Sequence, residues 1–260
     1  MRLRQLHRQS SYPCSINFSN PLSKGIVSAI TPATGLRDLA KPSRVLTYGS
    51  GISNITSSDG PTWSNSNQTT SGIFFASGGW GTVIPTTVTN TFFVRAYIPD
   101  TNVRRVLLGD WSSAGDSNST VLESGGAGTW DVYSGSNLVG SGGTVTVGWH
   151  NFVLSIPPDV STFYLWIDGI FIMSGSMLDR ANGVHAAFME AGDYEGGIGW
   201  GDKGSLLVIS TQIANSAIAR SFHNNPWQFF TPLKRTIWTD TIAAAATTYR
   251  PTRALTGVGY

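Results

Sequence analysis

The chain has 260 residues, of which 30 are glycine and 12% are charged, and its formal net charge is +2. This charge balance gives no reason to expect a nucleic-acid or membrane partner, and the single cysteine, Cys14, excludes an internal disulfide framework and a cysteine-cluster metal site. A glycine-rich, weakly charged composition is typical of many short strands joined by turns.

Residues 1–19 are expected to form an N-terminal arm. The first eight residues are basic through Arg2, Arg4 and Arg8, and no apolar stretch long enough for a secretion signal follows them. No segment of the chain approaches the roughly 18 uninterrupted apolar residues that a membrane-spanning helix needs. An arm of this composition buries too little apolar surface to order by itself, so we expect it to need a partner.

Most of the strand signals lie between about residues 72 and 210. They are alternation of apolar and polar side chains, or a high density of β-branched and aromatic residues, which are typical of strands half buried in a sandwich. Residues 91–98 show the pattern most clearly. The predicted strands are 72–76, 91–98, 105–110, 130–133, 144–147, 149–156, 163–167, 170–174, 183–189 and 205–210.

Short polar breaks separate these predicted strands. Residues 124–128 and 141–143 consist mainly of serine and glycine, and 157–159 is Pro-Pro-Asp. The pair Asp168-Gly169 favours a two-residue hairpin turn with positive φ. Strands at this spacing predict an all-β fold, a two-sheet antiparallel jelly-roll sandwich.

Residues 211–224 break the strand pattern. Ile218 and Phe222 stand four residues apart, as they would on one face of a helix. Asn215 or Ser216 would cap its start, and the Asn-Pro pair that follows would end it. We therefore expect one short C-terminal helix of about two turns that seals one edge of the sandwich.

Residues 233–260 lack any sustained pattern and are expected to form a C-terminal arm, which leaves 20–232 as the sandwich domain. This arm carries Arg250 and Arg253, whereas the segment 100–202 has twelve acids against three bases, a net charge of −9. Basic ends and an acidic middle would attract each other between neighbouring copies. The alternative is that exposed termini and loops simply collect charge.

The central hairpin carries a recognisable pair of strand motifs. Residues 149–154 read Trp-His-Asn-Phe-Val-Leu, and 163–169 read Phe-Tyr-Leu-Trp-Ile-Asp-Gly. They resemble the "W-H-x-x-V" and "x-Y-x-D-G" strands of laminin G-like and concanavalin A-like domains. The segment from Gly196 to Trp200, with the strand and helix after it, resembles the last core strand and closing helix. Such a hairpin encodes a fold and not a chemistry.

Two flanking motifs make the resemblance narrower. Residues 20–25 (Asn-Pro-Leu-Ser-Lys-Gly) and 225–232 (Asn-Pro-Trp-Gln-Phe-Phe-Thr-Pro) are similar to the paired flanks of laminin G-like domains in tailed-bacteriophage proteins. Within the second flank, Trp227 and Phe229 are expected to pack under the helix.

The resemblance implies a virion structural protein, either a capsid decoration or head-fibre subunit or a tail component, made in the cytoplasm of the bacterial host. It implies other copies of the chain and other virion proteins as partners, with the basic arms as the attachment points. No enzymatic activity, cofactor, nucleic acid or membrane is expected.

Acidic residues after the predicted strand 183–189 raise the question of catalysis. β-Glucanases of this fold carry Glu-x-Asp-x-x-Glu, which places two carboxylates on one face of a strand. Glu190, Asp193 and Glu195 have a different spacing and are interrupted by glycine, so they predict a loop. With Asp202 they could hold Ca²⁺, but a solvated acidic loop is the simpler interpretation. The four histidines show no spacing that predicts a zinc site.

Three tryptophans favour an alternative function. Trp80, Trp111 and Trp200 lie beside glycine-rich or polar loops, where an indole face could stack on a pyranose ring. Packing in the core is the competing interpretation for each of them. If they face solvent, the predicted function becomes that of a lectin-like module that recognises host-surface glycan.

Overall fold

The structure, a computed structural model, describes most of the chain between residues 14 and 232. The described residues are 14–35, 37–49, 51–57, 60–65, 71–75, 83–85, 87–101, 103–109, 120–124, 127–134, 137–158, 162–177, 186–192, 198–199 and 203–232. Residues 1–13 of the predicted N-terminal arm and the whole predicted C-terminal arm, 233–260, lie outside them, and so do Arg2, Arg4, Arg8, Arg250 and Arg253.

Strands make up most of the described chain. In chain order they are β1 (Cys14–Ile16), β2 (Ile26–Ile30), β3 (Leu46–Tyr48), β4 (Ile52–Ser57), β5 (Gly60–Asn65), β6 (Ser71–Phe75), β7 (Asn90–Ile98), β8 (Arg105–Gly109), β9 (Thr120–Ser124), β10 (Trp130–Ser134), β11 (Asn137–Gly142), β12 (Gly148–Ile156), β13 (Phe163–Ile167), β14 (Ile170–Gly175), β15 (Ala186–Gly192), β16 (Ile198–Gly199), β17 (Lys203–Ser210) and β18 (Phe230–Pro232). The helix α1 is Ser216–Asn224, and single 3₁₀ turns cover Pro21–Ser23, Pro32–Thr34 and Pro226–Phe229. No described helix is long and apolar enough to span a bilayer.

The strands form two large antiparallel sheets, which confirms the predicted sandwich. The first, called here the helix-side sheet, has the order β14-β13-β12-β7-β17-β5-β4, with β2 also paired to β17. The opposite sheet has the order β11-β10-β9-β8-β15-β6-β3, with β16 also paired to β15. In both sheets, strands that pair are often far apart in sequence. Their register is therefore specified by which side chains alternate toward the core.

The main core lies between the two sheets. Phe92 and Val94 of β7 and Phe152 and Leu154 of β12 point into it, each pair two residues apart as the strand period requires. Trp130 from the opposite sheet meets Phe152 edge to face, with 4.8 Å between ring centroids. These large rings fill the space between the layers.

The predicted central hairpin is confirmed. β12 and β13 pair antiparallel from Phe152 opposite Ile167 to Ser155 opposite Tyr164. The next turn, between β13 and β14, is the two-residue Asp168-Gly169 turn, with φ of 51° and 76°. Glycine is needed at its second position, since a Cβ there would also lie 3.1 Å from a backbone atom of Arg220 in α1.

The helix forms where predicted but packs in a different place. Asn215 caps it, its Oδ1 accepting hydrogen bonds from the amides of Ala217 and Ile218, both at 3.0 Å. The expectation that it seals an edge is wrong, because Phe222 packs against Phe93 on the outer face of the helix-side sheet, with 5.3 Å between ring centroids. The outward side chains there are apolar and need a cover.

Phe229 and Trp227 complete this second, smaller core, as predicted. Phe229 is fully buried, with its ring centroid 5.0 Å from that of Phe93, and Trp227 packs at the margin. Other members of the cluster from the sheet are Val153, Trp166, Leu206 and Val208. The helix-side sheet is therefore covered by apolar groups on both faces over part of its area.

One predicted strand, 144–147, is wrong. Gly143 has a φ of 68°, which turns the chain out of the sheet after β11, and the backbone amide of Val145 donates to the carbonyl of Gly128 instead of to a ladder partner. The side chain of Val145 packs into the core from this loop, whereas that of Val147 is exposed. The alternation of valine and threonine therefore gave a false strand signal.

The two ends of the described chain pair with each other. β1 and β18 form an antiparallel ladder with Cys14 opposite Pro232 and Ile16 opposite Phe230. Ile16 is buried in the smaller core, so three residues of the predicted arm 1–19 belong to a strand. The division of the chain at residues 20 and 232 otherwise stays a prediction.

Candidate functional site

The structure leaves most of the predicted site residues undescribed. Trp80, Trp111 and Trp200, the predicted glycan-facing aromatics, lie outside the described residues, and so do Asp193, Glu195 and Asp202. The predicted loop is wrong for Glu190, which belongs to strand β15 (Ala186–Gly192), although its side chain is not described. Among the described residues there is no group of three or more His, Cys, Asp and Glu side chains that could hold a metal ion.

The outer face of the helix-side sheet is divided into two parts. Along β7 the outward side chains are Phe93, then Arg95, then Tyr97, and Phe93 lies under α1. On β12 the corresponding outward residues are Val153 under the helix and then Asn151 and Trp149. The face thus changes from apolar to polar and aromatic where the apolar cluster under α1 ends.

Arg95, Tyr97, Trp149, Asn151 and Lys203 form what we call the aromatic face. Tyr97 and Trp149 stand directly opposite each other across the β7–β12 ladder, with ring centroids 5.7 Å apart and an interplanar angle of 70°. The guanidinium carbon of Arg95 lies 4.9 Å from the centre of the Trp149 ring system, and Nζ of Lys203 lies 5.2 Å from that of Tyr97. Each ring therefore has a cation within cation–π distance.

Burial differs sharply across the aromatic face. Arg95 is only 8% exposed and Asn151 only 4%, whereas Tyr97, Trp149 and Lys203 are half-buried. Nη1 of Arg95 donates to Oδ1 of Asn151 at 3.2 Å. The buried Arg95–Asn151 pair consequently forms the floor of the face, and Tyr97, Trp149 and Lys203 are partly exposed above it.

A polar network joins the aromatic face to the hairpin turn and to α1. Asp168 accepts a hydrogen bond from the backbone amide of Asn151 at 2.9 Å, and its other oxygen lies 2.6 Å from Nδ1 of His150. Nε2 of His150 lies 2.8 Å from the carbonyl oxygen of Thr146. From α1, Nδ1 of His223 lies 3.3 Å from Nδ2 of Asn151 and 3.4 Å from Asp168.

The partners of His150 favour its charged form. A nitrogen that faces a carbonyl oxygen or a carboxylate must donate, so both ring nitrogens carry a proton when both contacts are made. Burial alone would lower the pKa of His150, but the hydrogen bond and charge of Asp168, with the Thr146 carbonyl, raise it overall. Burial likewise would raise the pKa of Asp168, and its bonds from His150 and Asn151 lower it instead. The two side chains therefore form an ion pair between a largely buried imidazole and a partly exposed carboxylate.

The sequence contained a signal for the aromatic face that the prediction did not use. Alternation within residues 91–98 places Phe93, Arg95 and Tyr97 on one side of the strand. An arginine between two aromatic residues in an otherwise apolar strand is unusual for a core position. What alternation does not give is the register that brings Trp149 opposite Tyr97.

The chain resembles solved structures but matches no family model and no curated protein. Trypanosoma rangeli sialidase in complex with sialic acid aligns with a TM-score of 0.59 and 13% identity, over 78% of this chain and 33% of the sialidase. The binding domain of Paraclostridial Mosquitocidal Protein 1 aligns with a TM-score of 0.57 and 14% identity, over 79% of this chain and 53% of that one.

A third similar structure is domain 4 of AbnA, a GH43 extracellular arabinanase from Geobacillus stearothermophilus, in complex with arabinotriose. Its TM-score is 0.55 with 16% identity, over 76% of this chain and 98% of that domain. The chain thus spans about a third of the sialidase, about half of the mosquitocidal domain and nearly all of the arabinanase domain. At these identities the likeness shows that this chain has the β-sandwich fold of such domains.

Proposed function

We propose that this chain is a non-enzymatic structural subunit of a bacteriophage virion, a capsid decoration or head-fibre subunit or a tail component, attached through its two ends. The observation that carries the proposal is the ladder between β1 and β18. Because Cys14 pairs with Pro232, the segments 1–13 and 233–260 both begin at one place on the sandwich. A subunit anchored at a single point can present the rest of its surface outward.

Contacts between the two flanking motifs support this proposal. Nδ2 of Asn20 donates to the backbone carbonyl of Gln228 at 3.1 Å and to its side-chain oxygen at 3.2 Å. The backbone amide of Asn17 donates to the carbonyl of Phe229 at 2.7 Å. The motifs that resemble phage flanks therefore form one joined unit at the base of the sandwich, beside the start of both arms.

The arms are the proposed attachment points, and the proposed partners are other copies of the chain and other virion proteins. Arg2, Arg4 and Arg8 at one end and Arg250 and Arg253 at the other supply positive charge, and the segment 100–202 supplies negative charge. Contacts that repeat between identical copies lead to symmetric oligomers. The proposed location of the assembled protein is the virion.

Truncation tests the attachment directly. We expect a chain of residues 14–232 to fold as the full chain does but to be missing from particles assembled in its presence, as measured by mass spectrometry of purified virions. A full-length variant with Arg2, Arg4, Arg8, Arg250 and Arg253 changed to glutamine is the control for the charge of these five residues. Incorporation of the truncated chain at the level of the full chain would refute attachment through the ends.

Glycan recognition is the second candidate function, and the aromatic face is the observation that favours it. Half-exposed tyrosine and tryptophan rings beside polar groups are the usual composition of sugar-binding surfaces. Two of the similar structures, a sialidase and an arabinanase domain, hold a bound sugar. A glycan array tests this candidate, and loss of binding in Trp80→Ala or Trp111→Ala with unchanged Tm would assign it to the predicted loop tryptophans.

The absence of enzymatic activity is part of the proposal. The carboxylates Glu190, Asp193 and Glu195 lack the spacing that places a catalytic pair on one strand face. We expect no release of reducing sugar from a panel of polysaccharides. Cleavage that is abolished in Glu190→Gln or Glu195→Gln would show that the chain is a hydrolase.

A further inference from the structure

We propose that the aromatic face binds a sugar that carries a carboxylate, with Lys203 as the residue that recognises the charge and Tyr97 and Trp149 as the surface that contacts the ring. This inference rests on the second candidate function, glycan recognition, and adds to it the place of binding and the chemical class of the ligand. It assigns binding to a sheet face, away from the loop tryptophans predicted from the sequence.

The first argument is the packing of Arg95 within the aromatic face. Burying Arg95 to 8% exposure on the outer side of a sheet costs desolvation energy that an apolar side chain, like Phe93 two residues earlier, would avoid. Its guanidinium lies over Trp149 and donates to Asn151, so it holds the indole in one orientation. A ring held in a fixed orientation loses little conformational entropy when a ligand stacks on it.

The second argument is the distribution of charge around the aromatic face. Asp168, a carboxylate that contacts this face at Asn151, is bonded to His150 and to the amide of Asn151. Lys203 is partly exposed, and its Nζ lies 5.2 Å from the centre of the Tyr97 ring. An anion that approaches the exposed part of the rings therefore meets a cation and finds the acid already engaged.

The ligand chemistry follows from these two features. A pyranose ring has an apolar face of C–H groups that packs on aromatic rings, and a uronic or sialic acid adds a carboxylate at the ring edge. Lys203 stands beside the rings, where it can form a charge-assisted hydrogen bond with such a carboxylate. A neutral sugar would fill the same surface without that bond.

Paired ligands that differ only in charge test the proposal on the full chain. The probes are oligogalacturonate with its methyl ester and sialyllactose with lactose, titrated by isothermal calorimetry. Because a hydrogen bond to a charged group is worth about one to two factors of ten in affinity, we expect at least one acidic probe to bind about tenfold tighter than its neutral partner. We also expect this preference to shrink in 1 M NaCl.

Substitutions identify the residues. Lys203→Gln should remove the preference for the acidic probe and leave the affinity for the neutral one unchanged, whereas Trp149→Leu should weaken both. Lys41→Gln, an exposed lysine on a loop between β2 and β3, is the matched control and should bind as the unmodified chain does. Melting curves for each variant separate lost binding from lost folding.

Two results would overturn the inference, and each can be distinguished from a failure of glycan recognition itself. If the chain binds neutral and acidic probes equally, or if Lys203→Gln keeps the full preference, the assignment of Lys203 and of an acidic ligand is wrong while glycan recognition stands. If no sugar on an array binds the chain at all, glycan recognition itself is wrong.

Discussion

Asp38 is a buried carboxylate that organises the chain between β2 and β3. Its Oδ1 accepts hydrogen bonds from the backbone amides of Ala29, Ala40 and Lys41 at 3.1, 2.9 and 3.2 Å, and its Oδ2 pairs with Arg44. Removing it leaves these donors without an acceptor and the largely buried Arg44 guanidinium without a negative partner, with only the carbonyls of Val27 and Val83 to bind among the described residues. We expect Asp38→Ala to lower the free energy of unfolding by about 3–5 kcal/mol, measured by urea denaturation. A loss below about 1 kcal/mol would show that water replaces the carboxylate.

His150 makes folding stability depend on pH. Its pKa is raised in the folded chain, so its contribution is present below the unfolded pKa of about 6.5 and is lost as pH rises through the folded value. The pKa of Asp168 is lowered, so its contribution is present above its unfolded value and is lost as pH falls through the folded one. The pair should therefore stabilise the fold most in the mildly acidic range between the two unfolded values.

The His150→Gln variant tests this dependence. We expect it to lose about 1.5–3 kcal/mol of stability at pH 5.5, because it loses a charge-assisted hydrogen bond, and less at pH 8.5. Urea denaturation at the two pH values gives both differences. His223→Gln, which removes the more exposed imidazole near Asp168, is the control and should show a smaller effect. An equal loss for His150→Gln at both pH values would contradict a charged His150.

At the level of secondary-structure elements, α1 was foreseeable in sequence but not in position. The spacing of Ile218 and Phe222 and the cap at Asn215 are local signals, and the structure has both. The position depends on Phe93 and Val153, which face outward although the inner positions beside them are also apolar. When a strand is apolar on both faces, its sequence does not indicate which element packs on the face turned away from the main core.

Phe222 is the residue that joins this helix to the sheet. It is fully buried between Phe93 and Phe229, and its truncation would leave a cavity that the two rings cannot fill. We expect Phe222→Ala to cost about 3–5 kcal/mol of folding stability. Ile213→Ala, just before the helix at an exposed position, should change stability by less than about 0.5 kcal/mol. Similar values for both variants would mean that the helix is not docked as described.

For the whole molecule, local patterns predicted the two-layer fold but missed several of its strands, among them β2 and the adjacent pair β4 and β5. Strands rich in β-branched and aromatic residues, such as β7 and β12, form where expected. The three-residue strands β1 and β18 were missed because each is too short to show a pattern of its own. They form by pairing with each other from opposite ends of the domain sequence. The aromatic face was also missed, because Tyr97 meets Trp149 through the register between two strands.

The ladder of β1 and β18 should be visible in the stability of the domain. We expect a chain of residues 14–232 to unfold with nearly the Tm of the full chain, and a chain of residues 20–232 to unfold several degrees lower. The shorter chain lacks Ile16, which is buried in the smaller core, and leaves the edge of β18 without its partner. Thermal scans by circular dichroism measure both. Equal Tm values would place the domain boundary at residue 20.

Because Cys14 and Pro232 are ladder partners, their Cα atoms are about 5 Å apart. A sandwich whose entry and exit coincide in this way fits into a loop of another polypeptide without forcing that loop apart. The same short distance would let a short linker join the two ends, so that new termini could be introduced at another position in the domain. The adjacency of its ends therefore makes the sandwich geometrically suitable for insertion into another protein and for circular permutation.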